Sequence, residues 1–231
     1  HRRLRIKMYQ NIILKAVTTA IVSSVFMLNM PSNAMASEPI KTIAKASLPA
    51  KQQLRFKLQE IQHFNATFTQ TIMDEQGEVL QTAEGMLTVA KPNKVNWHTQ
   101  KPDETLIVSD GSTLWFYDPF IEQATAYNVN ETIENTPILL ITNNDAKVWQ
   151  KFDVNQITKA TFEVVSTEPN SRVESLSITF DEKSMITSFR IKDATGQISQ
   201  VSLSNVDSKT KPIEDKFLFK VPEGVALDDQ R

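Results

Sequence analysis

An aspartate-glycine pair between two strongly β-forming runs constrains the fold of this chain more than any other feature. The runs cover residues 106–108 and 114–117, are rich in β-branched or aromatic residues, and have Asp110-Gly111 between them. This arrangement predicts a β-hairpin with a type I′ turn, because that turn needs positive φ at both central residues. Asp118-Pro119 is expected to end the second strand, since proline cannot donate a hydrogen bond to a neighbouring strand.

Alternation of apolar and polar residues continues through most of the chain and predicts further strands. They are expected at residues 64–68, 79–90, 95–97, 123–129, 148–154, 161–166, 173–181, 185–192, 197–206 and 217–221. Short turns join many of these runs at nearly even spacing. The pattern therefore indicates an antiparallel meander that is bent into a sandwich or a barrel.

Two helical segments are predicted among the strands. In residues 50–62, Leu54, Leu58 and Ile61 recur at helical spacing and form an apolar stripe. The second segment starts at Pro137, after the polar pair Asn135-Thr136, and continues through the dense apolar run 138–142. For the first helix, a fixed cover on the sheet and a movable lid both remain open.

Residues 1–36 have the pattern of a secretory signal peptide. They contain five basic and no acidic residues, a mostly apolar run at 16–28, and Ala34-Met-Ala36 before Ser37. The apolar run is shorter than the roughly 18 residues that a transmembrane anchor needs. Residues 37–49 are rich in Ala, Lys, Pro and Ser and are expected to form a flexible lead-in.

Charge and cysteine content exclude several functions for the remaining chain. Five of the 25 basic residues lie in residues 1–36, which leaves 20 against 27 acidic residues and a formal net charge of −7. This charge argues against binding to nucleic acid or to anionic lipid surfaces. The chain has no cysteine, so we expect neither disulfides nor a lipid anchor on the exported protein.

No catalytic or metal-binding pattern is found in the sequence. The three histidines, His1, His63 and His98, do not have the spacing of metal ligands. No phosphate-binding loop, dinucleotide fingerprint or Gly-x-Ser-x-Gly motif occurs. The sequence therefore predicts a binding protein without an enzymatic activity, a metal or a cofactor. A hydrolase with an unrecognised site is the weaker interpretation.

The segments around the hairpin resemble a known family. In chain order, the matching pieces are residues 64–70, 85–87, 91–93, 96–97, 100–104, 108–122, 135–137, 217–219 and 225–230. In content, order and spacing they are similar to the periplasmic outer-membrane lipoprotein carrier protein (LolA) family. The resemblance extends over essentially the whole chain after residue 36.

The resemblance implies a mainly β fold with a few helices, in one lipoprotein-carrier domain at residues 50–231. Members have a strongly bent, incompletely closed antiparallel β-barrel with an α-helical lid, and the hollow between them receives acyl chains. Val95 stands where a larger aromatic residue is common, which changes the implied shape of the hollow. Carried over by position, the lining residues are Leu58, Phe64, Ile72, Val95, Trp97, Ile107, Val129, Ile138, Leu140 and Ile141.

A basic residue before a Pro-Asn pair is implied to hold the lid shut. In the family this residue is normally arginine, and it donates hydrogen bonds to carbonyl groups of the lid helix. Here the position is occupied by Lys91, which replaces a planar fork of five donors with a flexible ammonium that has three. A weaker latch and a solvated lysine at the end of a strand are both open interpretations.

The implied function is that of a periplasmic chaperone for acylated lipoproteins. By resemblance, its partners would be an inner-membrane ABC-type lipoprotein-releasing complex and an outer-membrane lipoprotein receptor. A monomer would suit such a shuttle. The alternative is a periplasmic sensor or binding domain on the same scaffold, which binds a lipoprotein or a protein partner without transporting it.

Overall fold

The computed structural model describes residues 48–231. The predicted signal peptide and almost all of the predicted lead-in lie outside these residues. The described part of the chain forms twelve strands, three α-helices and three short 3-10 segments.

The first half contains one helix, six strands and a second, short helix. They are α1 (Ala50–Glu60), β1 (His63–Met73), β2 (Val79–Ala90), β3 (Lys94–Lys101), β4 (Thr105–Asp110), β5 (Thr113–Asp118), β6 (Gln123–Asn128) and α2 (Val129–Thr132). Two 3-10 segments follow, Ile133–Asn135 and Pro137–Ile141. Val129, predicted to end a strand, begins α2 instead, because the Asn128 side chain accepts a hydrogen bond from the Asn130 N–H.

The second half is built mainly from strands. Its elements are α3 (Ala146–Trp149), β7 (Phe152–Gln156), β8 (Thr161–Ser166), β9 (Val173–Phe180), β10 (Ile186–Asp193), β11 (Ile198–Asp207), a 3-10 segment at Glu214–Phe217, and β12 (Ala226–Asp229). The predicted strands at 161–166, 173–181, 185–192 and 197–206 are thereby confirmed to within one residue at their ends.

All twelve strands belong to one sheet, which is not closed into a barrel. Their order is β12-β6-β5-β4-β3-β2-β1-β11-β10-β9-β8-β7. Neighbouring strands are antiparallel except β12 and β6, which are parallel. Twelve strands laid flat would span roughly 50 Å, yet Leu114 of β5 and Phe162 of β8 share one apolar cluster. The sheet must therefore curve strongly around that cluster.

Alternation along β1 shows how the sequence assigns the two faces of the sheet. Phe64, Ala66 and Phe68 are buried on the concave face, while Asn65 and Thr67 between them are partly exposed on the convex face. Side chains of successive strand residues point to opposite faces, so this period-two pattern decides which face of the sheet packs into the core.

The hairpin of β4 and β5 is confirmed, but the predicted type I′ turn is wrong. Only Gly111 has a positive φ, of 104°, and the loop between the strands is Gly111-Ser112. The Asp110 carboxylate accepts hydrogen bonds from the N–H groups of Ser112 and Thr113, at 2.8 and 2.9 Å. These bonds place Asp110 before the loop and not at its centre.

The predicted strand at 148–154 is wrong in its first part. Residues Ala146–Trp149 form α3, and β7 begins only at Phe152. The Asp145 side chain accepts a hydrogen bond from the Lys147 N–H at 2.8 Å, which is a helix N-cap. This cap favours a helical turn where the apolar residues alone indicated a strand.

The predicted final strand at 217–221 is also wrong. Phe217 is buried, and the Phe219 ring lies 5.4 Å from the Trp115 ring and 5.3 Å from the Tyr117 ring. Trp115 and Tyr117 point outward from β5, so this segment covers the convex face by packing and does not pair as a strand. The last strand is β12, which the sequence pattern did not indicate.

Candidate functional site

Buried apolar side chains cover the concave face of the sheet. They come from strands on both sides of the curve and form one continuous cluster with residues of α1 and of Pro137–Ile141. The two helical segments therefore close the concave face from outside. We call α1 and Pro137–Ile141 the covering segments.

The structure brings eight of the ten predicted lining residues into this cluster. They are Leu58, Phe64, Val95, Trp97, Val129, Ile138, Leu140 and Ile141, and each has a relative exposure of 7% or less. Ile107 is half-buried and packs against the cluster. Ile72 is buried but lies outside it, because it stands about 27 Å along β1 from Phe64.

The first covering segment, α1, docks through a short apolar stripe. Leu54 and Leu58 are one helical turn apart and both are buried. The helix ends at Glu60, two residues earlier than predicted, and Ile61 is extended and buried as the chain enters β1. Beside this stripe, α1 is also held by Lys57, whose ammonium donates to the Ser184 hydroxyl at 3.0 Å.

The second covering segment, Pro137–Ile141, is more apolar than a surface connection requires. All five of its residues are buried. Pro137 stands at its first turn, and the Thr142 hydroxyl donates to the Leu139 carbonyl at 3.1 Å at its end. The predicted helical segment is thus present as a 3-10 helix, although Thr136 forms no side-chain cap.

Several residues at this face were not predicted as lining residues. Leu54 and Leu139 lie in the covering segments, and Phe68 packs against Trp97 with ring centroids 4.8 Å apart. A Cβ atom at Gly85 would overlap the His98 carbonyl oxygen and lie 2.9 Å from the Phe68 ring. A glycine inside a strand is a signal for such a close approach and could have indicated this place.

Lys91 makes the contact that the resemblance implied for its position. Its ammonium donates to the carbonyl oxygen of Leu58 at 2.5 Å, and its backbone N–H donates to the Gln62 carbonyl at 3.0 Å. The Leu58 carbonyl is in the last turn of α1, where the helix dipole favours a positive charge, and it also accepts from the Ile61 N–H at 3.2 Å. Burial lowers the pKa of the Lys91 ammonium, and the Glu60 carboxylate opposes this shift.

Asn93 connects the same turn to the second covering segment. Its side-chain oxygen accepts a hydrogen bond from the Asn143 amide nitrogen at 3.0 Å. Asn143 is buried, and its own N–H donates to the Leu140 carbonyl at 3.3 Å. The Ser109 hydroxyl donates to the backbone carbonyl of Asn93 at 2.5 Å and holds the turn against β4.

The chemistry that this face offers is apolar binding. Residues 48–231 contain no cluster of three or more His, Asp or Glu side chains that would bind a metal ion. In the same part of the chain, no helix has the length and hydropathy needed to cross a membrane. Contacts of apolar surface are non-directional, so such a face accepts flexible chains of various shapes.

Comparison with known proteins decides the family. The model of the family described as outer membrane lipoprotein carrier protein LolA matches residues 59–220. This chain belongs to the LolA family. An outer-membrane lipoprotein carrier protein of Aeromonas salmonicida is 43% identical over 182 residues, which are 79% of this chain and 90% of that protein. The protein of the same name from Photorhabdus laumondii is 41% identical, and the match covers 79% of this chain and 89% of that protein.

The LolA match includes Lys91, the second covering segment and nine of the ten predicted lining residues, all except Leu58. A third LolA-family relative, from Vibrio cholerae, is 38% identical over 78% of this chain and 90% of its own length. Among solved structures, an uncharacterised conserved protein from Thermus thermophilus superposes with a TM-score of 0.50 at 9% identity. It covers 78% of this chain and 98% of its own, and it supports the fold alone.

Proposed function

We propose that this LolA-family protein carries lipoproteins by sheltering their acyl chains on the concave face of the sheet. The observation that carries the proposal is the continuous apolar cluster enclosed between the sheet and two covering segments. The names of its relatives, outer-membrane lipoprotein carrier proteins, describe the same activity for those proteins. The proposed role is binding and transfer, without catalysis and without a cofactor.

The size of the hydrophobic effect explains why such cargo needs a carrier. Each methylene kept out of water is worth about 0.8 kcal/mol, so a long acyl chain is held in a membrane by on the order of 10 kcal/mol. A carrier must offer comparable apolar surface to accept the chain. The concave face offers it through strand residues such as Phe64, with Ile107 at the border, and the covering segments add Leu58, Ile138 and Ile141.

Entry of an acyl chain requires the covering segments to move aside. In the closed arrangement they occupy the concave face with their own apolar side chains. We propose that Lys91 is the latch of α1, since its ammonium reaches a carbonyl in the last turn of that helix. One hydrogen bond to a charged group contributes about 1.5–3 kcal/mol, and desolvation of the ammonium offsets part of it, so the latch favours closure without making it permanent.

The proposal places the protein in the periplasm, between two membranes. Residues 1–36 would act as the signal peptide, and residues 50–231 would form the carrier domain. Acylated lipoproteins would arrive from the inner-membrane ABC-type lipoprotein-releasing complex and leave to the outer-membrane lipoprotein receptor. A monomer is proposed, because one entrance per carrier suffices for each transfer.

Release of lipoprotein from membranes tests the proposal. Inner-membrane vesicles that contain the transporter are energised with ATP and incubated with purified residues 37–231. We expect radiolabelled lipoprotein to appear in the supernatant in a complex with this protein. If the labelled lipoprotein stays with the vesicles although a LolA-family carrier from the bacterium that supplied them releases it, the transport function is refuted.

A variant pair tests the latch within the same assay. Lys91→Leu removes the ammonium at the end of α1 and should affect delivery to the receptor more than uptake. Lys192→Leu is the matched control, because Lys192 is a convex-face lysine paired with Glu174 at 2.8 Å. If Lys91→Leu and the control give the same uptake and delivery, Lys91 is a surface lysine and not a latch.

A further inference from the structure

Three polar contacts form a closed ring around the covering segments. The Lys91 ammonium binds the Leu58 carbonyl of α1, and the Asn93 side chain binds Asn143, just after Pro137–Ile141. The Arg55 guanidinium of α1 donates to the Asn144 carbonyl at 3.3 Å. Each of the three parts, α1, the turn at residues 91–93 and residues 143–144, thus contacts the other two.

We infer that Asn93 is a second positioning residue, which holds Pro137–Ile141 closed as Lys91 holds α1. The inference rests on the proposed carrier function, in which both covering segments must open. It makes the turn at residues 91–93 the common attachment point of the two segments. The two bonds differ in kind, because Lys91 brings a charge and Asn93 a neutral amide. The Arg55 contact with residue 144 is lost when either covering segment moves, so opening of one segment favours opening of the other.

Local backbone geometry explains why this turn can fasten two segments. Asn93 has a φ of 54°, in the left-handed region, where asparagine is tolerated better than most residues. The chain thereby reverses between β2 and β3, and the side chains of Lys91 and Asn93 reach different neighbours. The Ser109 hydroxyl of β4 donates to the Asn93 carbonyl, so the backbone from which the Asn93 side chain extends is held in place.

The Asn143 side of the contact is equally fixed. The Asn143 side-chain oxygen accepts from the Asp145 N–H at 2.8 Å, and its backbone carbonyl accepts from the Trp149 indole at 3.0 Å. Trp149 is itself buried in the apolar cluster. The Asn143 amide nitrogen therefore points at Asn93. The bond between them also links the turn at residues 91–93 to α3 and to Trp149.

Hydrogen exchange of the full chain without cargo tests the inference. Asn93→Gly keeps the left-handed backbone accessible and removes the side-chain acceptor. Loss of one such bond should raise exchange of the amides at residues 138–143 by on the order of fivefold. Binding of 1-anilinonaphthalene-8-sulfonate, followed by stopped flow, should accelerate by a similar factor, because the open fraction limits entry.

A matched control and a rescue variant make the test specific. Asn205 also has a left-handed φ, of 52°, and its side chain donates to Thr67 on the convex face at 3.1 Å. Asn205→Gly should therefore leave exchange at 138–143 and dye entry unchanged. Asn93→Asp retains an acceptor for the Asn143 amide and should restore both to the original values.

Two results would overturn the inference. One is unchanged exchange at residues 138–143 in Asn93→Gly, and the other is an equal increase in Asn205→Gly. Because exchange needs no lipoprotein and no membrane, a failed release assay would refute the carrier function and leave this measurement unaffected. A successful release assay together with unchanged exchange would refute only the role of Asn93.

Discussion

Truncation of one leucine is expected to open the cover at α1 while the sheet stays folded. Leu54 is completely buried beneath α1, and truncating a buried leucine to alanine costs about 2–5 kcal/mol. An isolated helix of 11 residues is marginal in water, so α1 remains helical only while its stripe is docked. With about 3 kcal/mol removed from docking, Leu54→Ala should raise the open fraction of α1 roughly 100-fold.

Hydrogen exchange with peptide resolution measures this opening directly. The amides of α1 should exchange roughly 100-fold faster in Leu54→Ala, while those of β1 change much less. Leu176→Ala in β9 is the matched control, because Leu176 is similarly buried in the same cluster but lies on a strand. In Leu176→Ala, the amides of α1 and those of the strands should show the same increase in exchange rate.

An equal increase in amide exchange rate at α1 and β1 in Leu54→Ala would refute local opening of α1. That result would mean that α1 opens only when the whole protein unfolds. The helix would then be a fixed part of the core, and acyl chains could not enter by its displacement.

Three other predictions concern single contacts. Gly85→Ala should destabilise the protein by roughly 3 kcal/mol or more, because its Cβ would overlap the His98 carbonyl oxygen, and calorimetry should show a melting temperature about 6–12 °C lower. Hydrogen bonds from the Arg231 side chain and from its backbone N–H lower the pKa of the Asp229 carboxyl to about 2, so Arg231→Ala, which removes the side-chain bonds, should raise this pKa toward 3.8 in an NMR titration. Burial lowers the pKa of Lys91 below 10.5, so between the two pKa values the unfolded chain binds more protons than the folded one. The free energy of unfolding should therefore rise with pH up to about 10.5, and urea unfolding of Lys91→Leu should lack that rise.

The strands were predictable because their signal is local. Alternation with period two depends only on neighbouring residues, and it located the strands around the hairpin and from 161 to 206. The same signal failed at 148–154 and at 217–221. There, apolar residues pack from a helix or from an unpaired segment, and spacing alone does not distinguish these cases from a strand.

The lining of the candidate site was predicted largely through the family resemblance. Eight of the ten residues meet in one cluster, while Ile72 and Ile107 lie at or beyond its border. Leu54 belonged to the predicted helical stripe but was not among the predicted lining residues. Asn143 carried no signal in the sequence, because the polar group Asn143-Asn144-Asp145 after an apolar run is an ordinary loop composition.

By itself, the sequence determined the β character of the chain, the hairpin, the two apolar covering segments and membership of the family suggested by its motifs. The tertiary structure alone decided which partners meet across the closed face, such as Lys91 with Leu58 and Asn93 with Asn143. These partners are 33 and 50 residues apart in the chain. Local propensity does not act over such separations, and only the curvature of the sheet brings these atoms within hydrogen-bonding distance.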